Sequence, residues 1–212
     1  MSKALDDLTQ GAREKHFPRG QIILYEGDMP QEVFIIKAGV IKLYDIDEHG
    51  NEKILHLVKS PTLIPFAFFS GLSQPLTWFY TALTDCDVWV LSADKVKEAM
   101  QHNPELLDML IHKFSADVHE LLVHLSSLGK TNTRGKLLAA LKFLQVCHAS
   151  QRPSGWWRVN FSVNHQLLAD LAGITRESAA MVMKDMQTKK IVRHPRLTIL
   201  EINREQLISV SV

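Results

Sequence analysis

Cysteine is scarce in this chain: Cys86 and Cys147 are the only two among 212 residues. They are too few for a disulfide framework and lack the paired spacing that zinc or an iron-sulfur cluster needs. Both are expected to act as small buried apolar residues. Long hydrophobic runs are missing as well. The longest, Leu63 to Phe69, is interrupted by Pro65 and is too short to span a bilayer, and Met1 to Gln10 carry no apolar signal core. A cytoplasmic protein with no membrane partner is expected. The histidines are not spaced four apart as a helical ligand pair would be, so no metal site is expected. Arg and Lys are absent between Lys59 and Lys95, which removes any cationic partner for a phosphate from that stretch.

Charge is present but unevenly placed. Residues 1 to 129 carry 11 Lys/Arg and 18 Asp/Glu, whereas residues 130 to 212 carry 13 Lys/Arg and 5 Asp/Glu, so net charges of −7 and +8 sum to the overall +1. A polyanion partner for the C-terminal part accounts for this split, because each cation that neutralises a phosphate releases condensed counterions.

From Phe17 to Leu91 short apolar or alternating runs read as strands: Gln21 to Tyr25, Val33 to Lys37, Val40 to Tyr44, Lys53 to Val58, Thr77 to Leu83 and Val88 to Leu91. Turn residues separate them, as in Glu26-Gly27-Asp28 and Asp47-Glu48-His49-Gly50-Asn51, and the spacing suggests an antiparallel barrel or sandwich. After Pro104 a helical period takes over. Leu107, Ile111, Phe114, Val118, Leu121, Leu125 and Leu128 recur at alternating steps of four and three, a heptad seam along a rod of roughly 33 Å. A seam this regular is expected to meet a second copy of itself in a homodimer rather than the protein's own barrel. Gly129-Lys130-Thr131-Asn132 breaks the rod before a further helix over Thr133 to Ala149. Trp157 to Phe161 then reads as a short strand.

The most informative segment begins at Asn164. Asn164 can cap a helix whose inner face is Leu167, Leu168, Leu171 and Ala172, and Gly173 permits the positive φ that ends it. Thr175 can cap a second helix with Ala179, Val182, Met183 and Met186 inside. Its opposite face offers Arg176, Glu177, Ala180, Met181 and Lys184. Two short helices joined by a glycine turn, the second bearing a polar outer face, have the geometry that enters the DNA major groove. Arg176 can pair with guanine O6 and N7, and Glu177 can accept from cytosine N4. Ser178, His165, Gln166 and Lys184 are placed to contact phosphate. Residues 191 to 200 read as a hairpin whose Arg193, His194 and Arg196 could touch the backbone as a wing.

The chain resembles the cyclic-AMP receptor protein/FNR (CRP/FNR) family of transcription regulators. The N-terminal half does so through Tyr25-Glu26-Gly27-Asp28, Val33 to Ile41 and Asp47-x-x-Gly50-x-Glu52, and the C-terminal half through Leu168 to Glu177. The resemblance implies an α+β protein. An antiparallel β-roll sensor domain akin to a cyclic-nucleotide-binding jelly roll spans 1–104, a dimerisation helix 105–129 and a winged helix-turn-helix 130–212. It implies a homodimer on a palindromic promoter site, with double-stranded DNA and RNA polymerase as partners.

Two departures accompany the match. Where family members that bind a cyclic nucleotide carry a glycine-glutamate pair and an arginine, this chain places Pro65, Phe66, Leu76 and Thr77. An unpaired phosphate there is disfavoured, as is an iron-sulfur centre. Phe66, Leu76, Thr77, Trp78 and Tyr80 become candidates to line a pocket for a small apolar effector; the alternative is that the rings fill the space themselves and the regulator is effector-independent. Haem, with His49 or His56 as ligand, is a third reading. The second departure is Ala180-Met181 where the family usually ends its reading face with an arginine. A barrel enzyme would need several His and Glu converging from the strands; His49, Glu52 and His56 straddle a turn, so no enzyme is expected.

Overall fold

The computed structural model describes residues 3–71 and 74–210, apart from the side chains of Ser127 and Leu128. Contacts group the chain into two compact units, Met1–Asp45 with His56–Val118 and Ile46–Leu55 with His119–Val212. The division falls inside the long helix, and the tip of one hairpin belongs with the C-terminal unit.

The elements run α1 (Lys3–Thr9), β1 (Arg13–Phe17), β2 (Ile22–Leu24), β3 (Glu32–Ala38), β4 (Val40–Ile46), β5 (Glu52–Lys59), β6 (Leu63–Ile64), a 3-10 turn at Phe66–Ser70, β7 (Phe79–Ala82), β8 (Cys86–Ser92), α2 (Ala93–His102) and α3 (Pro104–Leu128). All six expected strands are present. Two four-stranded sheets, ordered β1-β8-β3-β6 and β2-β7-β4-β5, form the β-roll by antiparallel pairing. The unbroken apolar run Val33-Phe34-Ile35-Ile36 makes β3 a central strand covered on both faces, the pattern expected of a strand with no solvent side. Val33 and Ile35 point to a cluster with Ala4, Leu5, Val96, Leu106 and Leu110 from the helices, while Phe34 meets the edge of Phe17. Gly39 between β3 and β4 has φ +97°, and a Cβ there would lie 2.4 Å from the Asp85 carbonyl oxygen, so this turn admits only glycine. Cys86 is buried, and burial pushes its thiol up from the usual value; Cys147 is only half-buried, short of the full burial expected from sequence.

The helix α3 starts where Asn103 accepts the Leu106 N–H at 3.0 Å, with Pro104 in the first turn. Leu106 and Leu110 face the β-roll core. Two turns further along, the buried Asp117 takes Lys113 Nζ at 2.5 Å and lies 3.8 Å from the buried His56 ring. The expected heptad seam needs correction. Ile111, Phe114, Val118 and Leu125 are exposed, but so is Leu122 at 57%, whereas Leu107 and Leu121 are half-buried. The side chain of Leu128 lies outside the described residues. Leu107 and Leu121 lie toward the flank of the helix that the chain partly covers, so the apolar line open to solvent runs through Leu122.

The C-terminal unit contains α4 (Thr133–His148), β9 (Ala149–Gln151), β10 (Trp156–Val159), α5 (His165–Ala172), α6 (Arg176–Thr188), β11 (Val192–Arg196), β12 (Ile199–Asn203) and α7 (Arg204–Ser209). Helices α4, α5 and α6 pack on one another through buried Leu137, Leu141, Leu144, Leu168, Leu171, Met183 and Met186. A sheet ordered β11-β12-β10-β9 adds Leu200 and Ile202 to the buried residues. His124 is buried in this unit, with Nδ1 2.8 Å from the Leu55 carbonyl oxygen and Nε2 2.9 Å from that of Leu171. Its ring stacks on Phe143 at 4.8 Å.

Candidate nucleic-acid interface and effector cavity

The helix-turn-helix forms as its caps dictate. Asn164 Oδ1 accepts the Leu167 N–H at 2.8 Å, Gly173 ends α5 at φ +60°, and Thr175 Oγ1 accepts the Ser178 N–H at 3.2 Å to open α6. Each side-chain cap satisfies a backbone donor that a helix end would otherwise leave unpaired. With Ala179, Val182, Met183 and Met186 buried, the outer face of α6 is fixed: Arg176, Glu177, Met181 and Lys184 are exposed, Met181 at 69%, with Ala180 and Ser178 half-buried beside them. The Ser178 hydroxyl also accepts from Thr175 Oγ1 at 3.0 Å. Gln166 is exposed and donates to Asp170 at 2.7 Å.

Strands β11 and β12 form the expected wing, but its charges are arranged differently from the sequence expectation. Glu201 on β12 is buried and stands opposite Arg158 of β10 and Arg193 of β11, each 2.7 Å away. Arg193 also lies 4.2 Å over the Trp156 ring, so its guanidinium, though exposed, is held between Glu201 and the indole rather than free for phosphate alone. Burial works to raise the Glu201 carboxyl, but hydrogen bonds and charge from the two arginines outweigh it and hold the group below the ordinary value. His194 is half-buried, its Nδ1 3.1 Å from the Ile199 carbonyl oxygen, and burial lowers its basicity. Arg196 is exposed. Between the wing and the helices lies a concavity of 770 Å³ lined by His165, Gln166, Arg176, His194, Arg196 and Leu197.

In the N-terminal unit, Phe66, Leu76, Thr77, Trp78 and Tyr80 do come together. They line a single cavity of 290 Å³ with Ser70 and Gln74. The Tyr80 hydroxyl accepts the Phe66 N–H at 3.2 Å, and burial pushes its ionisation up to about 12. Among the described residues, no side chain lining the cavity is charged at neutral pH. Phe66 in turn meets the edge of Phe114 on α3, ring centres 6.2 Å apart. The two histidines considered for haem are placed differently: His49 is exposed at the hairpin tip, and His56 is buried against Phe66 with centres 6.1 Å apart.

The sequence matches the cyclic nucleotide-binding domain family over residues 14–103 and the Crp-like helix-turn-helix domain family over residues 135–209. This chain is a CRP/FNR-family DNA-binding transcription regulator. The HTH-type transcriptional regulator ArcR of Staphylococcus haemolyticus is 25% identical to it over 182 residues, covering 85% of this chain and 78% of ArcR. The CRP-like cAMP-activated global transcriptional regulator of Mycobacterium tuberculosis is 23% identical over 208 residues, covering 96% and 90%. A solved CRP/FNR-family transcriptional regulator from Thermus thermophilus shares the fold at a TM-score of 0.72 and 23% identity, covering 94% of this chain and 98% of that one. The family's relatives are regulators rather than enzymes. Both matched domains contain the features just described, the cavity in the first and the capped helices in the second. Among the described residues no helix is long and apolar enough to cross a membrane.

Proposed function

We propose that this CRP/FNR regulator binds an inverted-repeat DNA site as a homodimer and answers to a small uncharged molecule held in the β-roll cavity. The observation that carries the reading is the outer face of α6, where Arg176 and Glu177 stand in solvent on a helix anchored by four buried residues. Arg176 pairs with guanine and Glu177 with cytosine, while Ala180 and Met181 suit a thymine methyl. Lys184, His165, Gln166, Ser178 and Arg196 contact the backbone. The exposed stripe Ile111, Phe114, Val118, Leu122, Leu125 on α3 supports pairing with a second copy, since water otherwise covers a contiguous apolar line. Two copies related by a twofold axis match a palindromic half-site pair. At a promoter in the cytoplasm, such a dimer stands where RNA polymerase binds.

The cavity residues do not fit a cyclic phosphate, because among the described residues nothing cationic lines it and an unpaired phosphate in such a pocket is costly. The volume that Phe66, Trp78 and Tyr80 leave open supports a small uncharged effector over a cavity filled by its own rings. Selection of duplexes from a random pool tests the reading. Wild-type protein should enrich an inverted repeat, Arg176→Ala and Glu177→Ala should each relax one base position, and Leu122→Glu with Leu125→Glu should yield monomers in sedimentation. A wild-type protein that enriches no sequence, with or without cell extract as a source of effector, would refute it.

A further inference from the structure

We infer that Leu197, at the tip of the wing, is a specificity-determining DNA contact that presses into the minor groove flanking each half-site. The inference rests on the reading above and concerns a residue outside the reading helix. Leu197 is 94% exposed, far more than Met181 on α6. An isolated exposed leucine on a frayed loop would mean little. This one sits on a fixed mount. Arg196 and Ile199 pair across the two-residue tip, the Thr198 carbonyl accepts the Val163 N–H at 2.9 Å, and Ser162 Oγ donates to Thr198 Oγ1 at 3.4 Å. Val163 immediately precedes Asn164, the cap of α5, so the segment that seats the helix-turn-helix also seats the wing tip.

The place of the leucine selects its partner. Leu197 lies on the rim of the 770 Å³ concavity that also holds Arg176, His165, Gln166 and Arg196. With the N-terminal end of α6 in the major groove, a phosphate strand occupies that concavity, and the element on its far side meets the adjacent minor groove. An apolar side chain gains nothing from phosphate, but it seats on sugars and base edges and can wedge at a deformable step. Arg196, next in the chain and exposed, supplies the cation that a narrow A·T-rich minor groove attracts. Arg193 is engaged with Glu201 and His194 with the Ile199 carbonyl, whereas the Arg196-Leu197 pair stands exposed at the tip of the wing.

The test uses the full chain and the duplex that wild-type protein selects, with affinity measured across salt concentrations and selection repeated for each variant. Leu197→Ala should weaken binding roughly three- to tenfold with an unchanged slope of log affinity against log salt, and should flatten base preference in the flanks. Arg196→Ala should instead lower the salt slope by about one. Both variants should unfold at the wild-type temperature, since neither side chain is buried. Wild-type binding with Leu197→Ala equal to it in affinity and flanking preference overturns the inference and leaves the regulator reading intact, pointing to a protein partner for the tip. A wild-type protein that selects no duplex overturns the reading and the inference together.

Discussion

Around the cavity of the N-terminal unit, Phe66, Leu76, Thr77, Trp78 and Tyr80 present no group that ionises near neutral pH, whereas the outer face of α6 in the C-terminal unit holds Arg176, Glu177 and Lys184 out in water. Each region lies in its own matched domain, the cavity in the cyclic nucleotide-binding domain and α6 in the Crp-like helix-turn-helix, and the two differ in what they show to their partners. The reader keeps charge on display because its partner is a polyanion whatever the sequence read. The sensor has no such constraint, and its lining is neutral. The lesson is that the family tie predicts the reader's chemistry far better than the sensor's.

Placing a charge in the cavity should give the largest effect. Leu76 is buried, so Leu76→Lys should destabilise the protein by roughly 3–5 kcal/mol in chemical denaturation; an unchanged midpoint would show that the cavity is wet and tolerant of charge, and the contrast with α6 would collapse. Arg176→Ala probes the other side. It should lower affinity for the selected duplex about 5- to 150-fold while leaving the unfolding temperature unchanged, because the side chain is exposed and its partner lies outside the protein.

Glu201 sharpens the comparison, being a charge that is both buried and paired. The guanidiniums of Arg158 and Arg193 are part-exposed and can turn to water, so Glu201→Gln should cost about 1–2 kcal/mol rather than the full loss of a sealed pair. Its carboxyl is held below the ordinary 4.5, so its contribution is complete above that pH and is lost as the pH falls through the lower folded value. Acid unfolding should therefore be less steep in the glutamine variant than in the wild type. The smallest effect belongs to Tyr80→Phe, which leaves the Phe66 N–H without its acceptor and should cost about 1 kcal/mol. In the wild type, ultraviolet titration should show one phenol ionising only near pH 12.

Much of this was legible in the chain itself. Asn164, Gly173 and Thr175 announce the two helices because caps and left-handed turns are local chemistry, and the six strands announce themselves through apolar runs set between turn residues. Strand β1 was not legible. Arg13-Glu14-Lys15-His16-Phe17 buries only its phenylalanine, and it is extended because β8 lies beside it. The pairing of Arg193 depended on Glu201, eight positions on, which carries no local signal of burial. Phe66, Leu76 and Thr77 stood out as departures from the family pattern and Trp78 and Tyr80 as nearby aromatics, but their neutrality as a lining required the fold. The grouping of Ile46–Leu55 with the C-terminal unit was equally hidden, since it arises from contacts made far along the chain.

One of those contacts sets a limit on sequence variation. The two oxygens that flank the His124 ring are both backbone carbonyls, one beside each ring nitrogen, so a single flat ring bridges two stretches of backbone at once. Asparagine and glutamine bear a single side-chain nitrogen, as does tryptophan; none can set a nitrogen beside each of two carbonyls on opposite edges of a flat ring. The segment around Leu55 and the helix around Leu171 thus share a fastener that side-chain chemistry makes hard to replace. Chimeras that exchange β-rolls or DNA-binding domains between relatives will join cleanly here only if position 124 arrives with both of the carbonyls it serves.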